Sequence, residues 1–256
     1  MLEVKGLYKS FGGISAISDL DMSVDQGEIV GLIGPNGAGK TTAFNLITGY
    51  LRPNKGMIKF NGESIAGRKP HLIARKGMVR TFQDSAIYLD FSVMQNISAS
   101  HHLSPRFSFL ETLFHSPSSR KKERLIQEQT QEIIRFMGLD SVKDQIAGNL
   151  AQGYKRILSI AIAMATQARF LLLDEPLSGM NAAEVDTTIA LIRKIWKQRG
   201  ITILLIEHNM RAAMNLCQRL IVLEMGRKIA EGTPDEVRRN KRVIEAYLGT
   251  EKNNAA

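Results

Sequence analysis

The sequence predicts an α/β fold in which a mostly parallel sheet is covered by helices on both faces. Three short apolar runs of the kind found in buried strands support this class: Glu28–Ile33, Phe170–Asp174 and Ile201–Glu207. The helix-compatible Ala43–Ile47 follows the first run, and the amphipathic Ala182–Arg199 lies between the other two. Strands that alternate with helices along a chain are typical of this fold class.

Two other regions predict antiparallel strands. Leu2–Phe11 and Ile17–Val24 show strand-like alternation on either side of a Gly-Gly turn, which predicts an antiparallel pair at the N-terminus. Gly56–Phe60 is predicted to be another short strand. Near the other end of the chain, Leu220–Leu223 and Arg227–Glu231 flank a Met-Gly dipeptide and predict a hairpin.

Helical periodicity dominates from about residue 90 to 150, most clearly in Glu123–Met137. Within this region, Ser104–Ser119 contains two prolines and many serines, and we interpret it as an insertion. Its apolar side chains at helical spacing are Phe107, Leu110 and Phe114. These side chains either pack on the local subdomain or contact a partner protein, and the sequence leaves both alternatives open.

Composition places the chain among ordinary globular proteins. It has 256 residues, of which 44% are hydrophobic and 23% are charged. The single cysteine, Cys217, excludes an intramolecular disulfide and suits a reducing cytoplasm. The N-terminus lacks an apolar core of signal-peptide length, and the longest apolar stretch, Ile157–Ala165, is too short to span a bilayer.

The formal net charge is +9. A basic surface can attract nucleic acid or anionic lipid. Here the basic residues are spread along the chain, with small clusters at Arg120–Arg124 and Arg238–Arg242. That distribution favours solvated helix faces over a dedicated nucleic-acid surface, so no nucleic-acid partner is expected.

The most informative segment is Gly34–Thr42, which reads GPNGAGKTT and satisfies the pattern G-x-x-x-x-G-K-[ST]. Its glycines lack Cβ atoms, so backbone N–H groups can approach a phosphate chain closely. Lys40 can reach the β- and γ-phosphate oxygens, and the Thr41 hydroxyl can hold Mg²⁺. The loop lies between a predicted strand and a predicted helix, whose N-terminus favours anions. This context predicts a nucleotide-phosphate site.

Polar residues at the ends of two other predicted strands extend this site. Asp174 and Glu175 end the run FLLLDEP, at the edge where α/β sheets place ligands. Asp174 can hold Mg²⁺, and Glu175 can then orient and polarise the water that attacks the γ-phosphate. His208 follows the strand LLIE and could contact the γ-phosphate, and Gln83, in RTFQD, could complete the metal shell or sense that phosphate.

Asn149–Arg156 reads NLAQGYKR and precedes a helix predicted to run from Gly153 to about Gln167. A small residue and a glycine at a helix N-terminus can form a second anion site. Taken alone, the segment is more often an ordinary helix start.

The order of these motifs resembles the ATP-binding subunit of ABC transporters over nearly the whole chain. The resemblance implies an ATP-hydrolysing enzyme whose cofactors are ATP and Mg²⁺. It implies catalytic roles for Glu175 and His208, and metal ligation by Thr41, Gln83 and Asp174. It implies that Phe11 stacks on adenine and that Ser178–Asn181 is the D-loop. The implied nucleotide-binding residues are Phe11, Gly34, Pro35, Asn36, Gly37, Ala38, Gly39, Lys40, Thr41, Thr42, Gln83, Ala151, Gln152 and Gly153.

The resemblance also implies a domain organisation. The chain would be a single ABC ATPase domain, residues 1–256, with a P-loop NTPase fold. Residues 1–88 and 155–256 would form a RecA-like catalytic core with a mixed or parallel sheet, joined to an N-terminal antiparallel β subdomain. Residues 89–154 would form an α-helical subdomain that includes the insertion 104–122.

ABC proteins work as head-to-tail dimers, so the resemblance implies a second ATPase subunit, identical or paralogous. The Ala151–Gly153 segment of one copy would cap the ATP held by the other. That segment differs from the usual LSGGQ, since Ala151 replaces the serine and Tyr154 replaces the glutamine. A neutral hydrogen bond to a charged acceptor is worth roughly 1.5–3 kcal/mol, so the missing hydroxyl would weaken dimer closure.

A narrower resemblance concerns the segments Pro70–Gln83, Asn149–Gly153 and Gly232–Gly249, which are similar to the LivG type of ATPase in branched-chain amino acid importers. It implies membrane permease subunits, a periplasmic solute-binding protein and a peripheral location on the cytoplasmic face of the inner membrane. The last segment also resembles urea and lipopolysaccharide-transport ATPases.

Two rival hypotheses come from other classes of protein. A soluble ABC protein that acts on nucleic acid would explain the positive charge, but the chain shows neither a second cassette nor a long coiled coil. A GTPase or small-molecule kinase would explain the phosphate loop, Gly34–Thr42, but the chain has no N-K-x-D segment for guanine.

Overall fold

The computed structural model describes residues 1–81, 87–101 and 117–253, and at 117–120 and 248–253 it describes the backbone only. It confirms the predicted α/β class. The strands are β1 Leu2–Phe11, β2 Ile14–Val24, β3 Ile29–Ile33, β4 Lys55–Phe60, β5 Glu63–Ser64, β6 Met78–Arg80, β7 Phe170–Asp174, β8 Thr202–Ile206, β9 Arg219–Glu224 and β10 Arg227–Gly232. The α-helices are α1 Lys40–Ile47, α2 Pro70–Ala74, α3 Val93–His101, α4 Pro117–Met137, α5 Gln152–Ala165, α6 Ala182–Arg199, α7 Met210–Leu216, α8 Pro234–Arg239 and α9 Lys241–Asn253.

The strands form two sheets. The first has four strands in the order β2-β1-β4-β5, and all its neighbours are antiparallel. The second has six strands in the order β10-β9-β3-β8-β7-β6, in which every pair is parallel except β9 with β10. The three apolar runs recognised in the sequence are the central strands β3, β8 and β7, which confirms the prediction of a mostly parallel core.

Both faces of the six-stranded sheet are buried. Along β8, Ile203 and Leu205 belong to one apolar cluster, whereas Leu204 and Ile206 belong to another. This alternation follows from the two-residue period of a strand, whose successive side chains point to opposite faces. It explains why these strands carry apolar residues at consecutive positions and not only at every second residue. The phosphate loop and the acidic residues therefore follow strands that are fixed by packing on two sides.

The predicted hairpin near the C-terminus is confirmed as β9 and β10. Its two turn residues, Met225 and Gly226, have φ values of 44° and 77°. Positive φ at both positions matches the right-handed twist of the flanking strands. A Cβ on Gly226 would lie 2.6 Å from the Ala16 carbonyl oxygen, so a glycine also lets this turn pack against β2.

Several boundaries differ from the predictions. β2 begins three residues earlier than predicted, at Ile14, and the helix after Gly153 ends at Ala165 and not near Gln167. The segment from Ile73 onward, predicted only as a lead into a loop, contributes β6 to the edge of the core sheet. Three residues are too few to show a periodic pattern, so this strand was missed.

The helical character of the region from about 90 to 150 is confirmed by α3 and α4. The predicted amphipathic piece at Phe107–Phe114 lies outside the described residues, as does most of the insertion. The division into core and helical subdomain stays a prediction. Within the described ranges, no helix combines the length and the apolar character that crossing a membrane requires.

Candidate functional site

The loop from Gly34 to Gly39 connects the end of β3 to the start of α1, as predicted. A Cβ on Gly34 would lie 2.1 Å from the Leu223 carbonyl oxygen, and one on Gly39 would lie 2.6 Å from the Ala16 carbonyl oxygen. These close backbone approaches require glycine at both positions. Gly37, with φ of 77°, faces open space, since no atom lies within 4 Å of its Cβ position. The loop thus leaves room for a ligand at its middle.

The other loop residues differ in exposure. Ala38 is buried, Pro35 and Thr42 are half-buried, and Asn36 and Thr41 are exposed. The first turn of α1 contains no acidic residue, so its positive end is not neutralised locally. An anion is the natural partner for such a helix start.

Lys40 is buried, and its Nζ donates hydrogen bonds to the Gly34 and Pro35 carbonyl oxygens at 2.7 and 2.9 Å. Burial lowers the pKa of this ammonium, and the nearby Glu175 carboxylate partly offsets that effect. The ammonium therefore contacts the carbonyls of its own loop and lies near enough to the acidic residue predicted to polarise water to be influenced by its charge.

Asp174 ends β7 and is held by a residue that sequence reasoning did not identify. The Nη2 atom of Arg80 lies 2.6 Å from Asp174 Oδ2, and Nη1 donates to Asn45 Oδ1 at 2.6 Å. The guanidinium also lies 5.6 Å from the centre of the Phe44 ring. Because Arg80 is on β6 and Asn45 is on α1, this buried ion pair fixes the Asp174 carboxylate relative to the helix that follows the phosphate loop.

Glu175 adopts a positive φ of 48°, which is uncommon for a residue with a side chain. Its backbone N–H donates to the Ile206 carbonyl oxygen at 3.0 Å, and its side chain contacts Nε2 of His208. Backbone strain of this kind persists only where the surroundings hold it, and it clusters at functional sites. The structure thus brings together three predicted residues, Lys40, Glu175 and His208.

Phe11 lies at the tip of the β1–β2 hairpin, opposite Ile14. The Ala16 carbonyl of the same hairpin approaches Gly39, so the tip adjoins the phosphate loop. The ring is 46% exposed, and Lys9 Nζ lies 5.0 Å from its centre. An exposed aromatic face beside a phosphate loop is able to stack on a flat base.

The segment Ala151–Gly153 is placed at the start of α5, where Ala151 is the N-cap and makes no side-chain capping bond. Ala151 and Gln152 are exposed, whereas Gly153 packs so close to Glu184 that its Cβ would lie 3.0 Å from Oε1. A Cβ on Gly179 would lie 3.8 Å from Gln152 Cγ. Across the part of the chain that the structure describes, no hydrogen bond or ion pair joins this segment to the phosphate loop.

Two further observations concern residues around the loop. Gln83 lies outside the described residues, and its role stays a prediction. Tyr247 of α9 packs against the main apolar cluster, and its hydroxyl lies close to the Gly34 backbone of the phosphate loop. Burial raises the pKa of Tyr247 to about 12. No motif in the sequence predicts that Tyr247 lies near the phosphate loop.

The oxygen atoms available near the loop suit Mg²⁺. Thr41 presents an exposed hydroxyl at the start of α1, and the Asp174 carboxylate is held through one of its oxygens. Mg²⁺ prefers a few hard oxygen ligands together with water and phosphate. Among the residues described, no cluster of three or more His, Cys, Asp or Glu residues suited to a metal occurs.

Comparisons with known proteins agree with this geometry. Residues 17–178 match the ABC transporter family, and residues 227–253 match the family described as branched-chain amino acid ATP-binding cassette transporter. The chain is 41% identical to the high-affinity branched-chain amino acid transport ATP-binding protein BraF of Pseudomonas aeruginosa, over 97% of this chain and 98% of that protein. It is 38% identical to LivG of Escherichia coli (strain K12), with the same coverage.

Among solved structures, the ADP conformation of MJ1267, an ATP-binding cassette of an ABC transporter, is similar with a TM-score of 0.84 and 30% identity. The match covers 97% of this chain and 98% of that one. The chain belongs to the ABC transporter family, as an ATP-binding subunit and ATPase. This finding confirms the predicted family, fold class and enzymatic activity.

Proposed function

We propose that this chain hydrolyses ATP to drive the import of branched-chain amino acids through separate membrane subunits. The observation that carries the proposal is the match of residues 227–253 to a tail family described by branched-chain amino acid transport. Two relatives that align with almost the whole chain, BraF and LivG, carry the same description. A periplasmic solute-binding protein would deliver the amino acid, and the chain would sit at the cytoplasmic face of the inner membrane.

The phosphate loop supplies the energy step. The N–H groups of Gly34–Thr42 and the start of α1 would hold the phosphates of ATP, with the base against Phe11. Lys40 would then exchange its two loop carbonyls for β- and γ-phosphate oxygens. A negatively charged ligand would raise the depressed pKa of Lys40, because an opposite charge favours the ammonium form.

Thr41, Gln83 and Asp174 would hold Mg²⁺, which would neutralise charge that develops on the phosphate oxygens. Arg80 keeps the Asp174 carboxylate directed toward α1. Glu175 would accept a proton from, or polarise, the attacking water. His208, which contacts the Glu175 carboxylate, would keep it oriented and contact the γ-phosphate.

The site would be completed by a second ATPase subunit, identical or paralogous. Ala151, Gln152 and Gly153 lie at the start of α5 with two exposed residues, and they do not bond to the phosphate loop of their own chain within the described residues. We infer that they cap the ATP of the partner subunit in a head-to-tail dimer. The missing serine hydroxyl at Ala151 leaves backbone N–H groups and the helix dipole for this contact.

The membrane subunits would contact the exposed aromatic patch formed by Tyr88, Leu89 and Phe91. These side chains are 43–59% exposed, and the rings of Tyr88 and Phe91 lie 5.2 Å apart. Clustered exposed apolar residues mark interaction sites more often than single ones. In the Tyr88→Ser/Phe91→Ser variant, ATP binding by the chain should persist while membrane subunits no longer copurify. Unchanged copurification would show that they dock elsewhere.

The cargo is tested by deleting the gene for this chain in its host and measuring uptake of labelled leucine and of labelled urea. Leucine uptake should fall strongly and urea uptake should persist. Expression of the wild-type chain should restore leucine uptake, whereas expression of the Lys40→Ala variant should not. Normal leucine uptake in the deletion strain would contradict the proposed cargo, and loss of urea uptake alone would redirect it to urea.

A further inference from the structure

A buried carboxylate outside the predicted motifs lies directly behind the proposed water-polarising pair. Glu207 follows β8 and is 3% exposed, although carboxylates are rarely buried without partners. Its Oε1 accepts a hydrogen bond from the Leu177 N–H at 3.0 Å. The backbone N–H groups of His208 and Asn209 also lie close enough to stabilise its carboxylate.

These contacts join the two segments that carry Glu175 and His208. Leu177 is two residues beyond Glu175, and the intervening Pro176 has no N–H to offer. The first backbone N–H after Glu175 that a side chain can hold is therefore that of Leu177. The Glu207 side chain accepts a hydrogen bond from this N–H, and Glu207 immediately precedes His208 in the sequence.

The anchor acts on a backbone that is already constrained. Glu175 has a positive φ, and its own N–H donates to the Ile206 carbonyl at the end of β8. With the Leu177–Glu207 bond, the strained Glu175 and the residue two positions after it are tied to consecutive residues, Ile206 and Glu207. Such double attachment is what an unfavourable φ requires in order to persist.

We infer that Glu207 is a positioning residue for ATP hydrolysis, which sets the distance between the Glu175 carboxylate and the His208 ring through the backbone of both segments. This inference rests on the proposed roles of Glu175 and His208. Glu207 is buried, and the hydrogen bonds that involve it go to backbone groups, so it acts without contacting the nucleotide.

The test compares Glu207→Leu, which removes the acceptor at similar volume, with Glu207→Gln, which keeps an oxygen acceptor. Turnover is expressed per ATP-binding site counted by calorimetry, so that a smaller folded fraction is not mistaken for slower hydrolysis. Glu207→Leu should lower kcat about 10–100-fold, the size of effect produced by small misplacements of a reacting group, while the KM for ATP stays within about threefold. Glu207→Gln should recover kcat to within about threefold. Glu224→Leu, at the end of β9, is the matched control and should hydrolyse ATP normally.

A double variant separates positioning from general structural damage. If Glu207 acts through His208, then Glu207→Leu/His208→Ala should be no slower than His208→Ala alone. Losses that multiply, or a kcat for Glu207→Leu within threefold of wild type, would overturn the inference. Glu175→Gln is measured in parallel. If that variant hydrolyses ATP normally, the proposed role of Glu175 fails. If it is inactive while Glu207→Leu is normal, only the inference about Glu207 fails.

Discussion

The protonation of Glu207 gives a prediction about stability that does not depend on turnover. Burial, with a smaller contribution from the nearby Glu175 charge, raises the pKa of Glu207 from 4.5 to about 7 in the folded protein. Between these two pH values the folded chain retains a proton that the unfolded chain has released. The free energy of unfolding must therefore fall as pH rises from about 4.5 to about 7, and this contribution is constant above that window.

The size of the effect follows from the same numbers. Each pKa unit corresponds to 1.36 kcal/mol, so the difference between 4.5 and about 7 is worth about 3 kcal/mol in total. About 2.5 kcal/mol of it should be lost between about pH 5 and pH 8. The Gln side chain of Glu207→Gln cannot ionise. The free energy of unfolding of this variant, relative to wild type, should therefore rise by that amount from about pH 5 to pH 8.

Urea unfolding at the two pH values measures this difference. Trp196 is the only tryptophan, and its Nε1 donates to the Gly27 carbonyl oxygen at 2.6 Å, so its fluorescence should report the loss of tertiary structure. Equal m-values for the two chains would show that unfolding exposes the same surface. Glu224→Gln is the matched control and should follow wild type. A difference between Glu207→Gln and wild type that stays constant within about 0.5 kcal/mol from pH 5 to pH 8 would refute the reasoning.

Four further predictions concern the site and the fold. Glu175→Gln should bind ATP and lose about 10²–10⁴ in hydrolysis rate, measured by phosphate release, and near-wild-type turnover would refute its role. Lys40→Ala should lose affinity for ATP, and retained binding by calorimetry would contradict this. Ala151→Ser should tighten the ATP-bound dimer by roughly 1.5–3 kcal/mol, and an unchanged sedimentation profile would show that the hydroxyl has no effect. Gly226 combines a positive φ with a close approach to Ala16, whereas Gly62 has a φ of 80° and no atom within 4 Å of its Cβ position. Gly226→Ala should therefore lower thermal stability by more than Gly62→Ala. Equal losses would show that the close approach is harmless.

Local patterns were sufficient for the elements whose cause is local. The strands β3, β7 and β8 are buried on both faces, so each contains a run of consecutive apolar residues and can be recognised without its neighbours. The phosphate loop was equally recognisable, because two of its glycines are required by backbone approaches that no other residue permits. Family resemblance added the roles of Phe11 and of the segment Ala151–Gly153. Hydrophobic periodicity alone could not have predicted these roles.

The features that were missed depend on contacts between distant parts of the chain. Arg80 meets Asp174 across 94 residues, and the pairing exists only because β6 joins the sheet beside β7. The positive φ of Glu175 arises from anchors on β8 that no local pattern shows. Glu207 looked like the last residue of an apolar strand, and only the folded chain places its carboxylate behind Leu177.

Leucine transport into sealed vesicles that contain this chain with the proposed membrane subunits and solute-binding protein tests the central claim most directly. With ATP supplied on the side of this chain, leucine should accumulate, and ATP should be hydrolysed in parallel. Replacing the chain with Glu175→Gln should abolish both while ATP still binds. Leucine accumulation that persists with Glu175→Gln, or ATP hydrolysis that leucine and its binding protein never stimulate, would contradict the account.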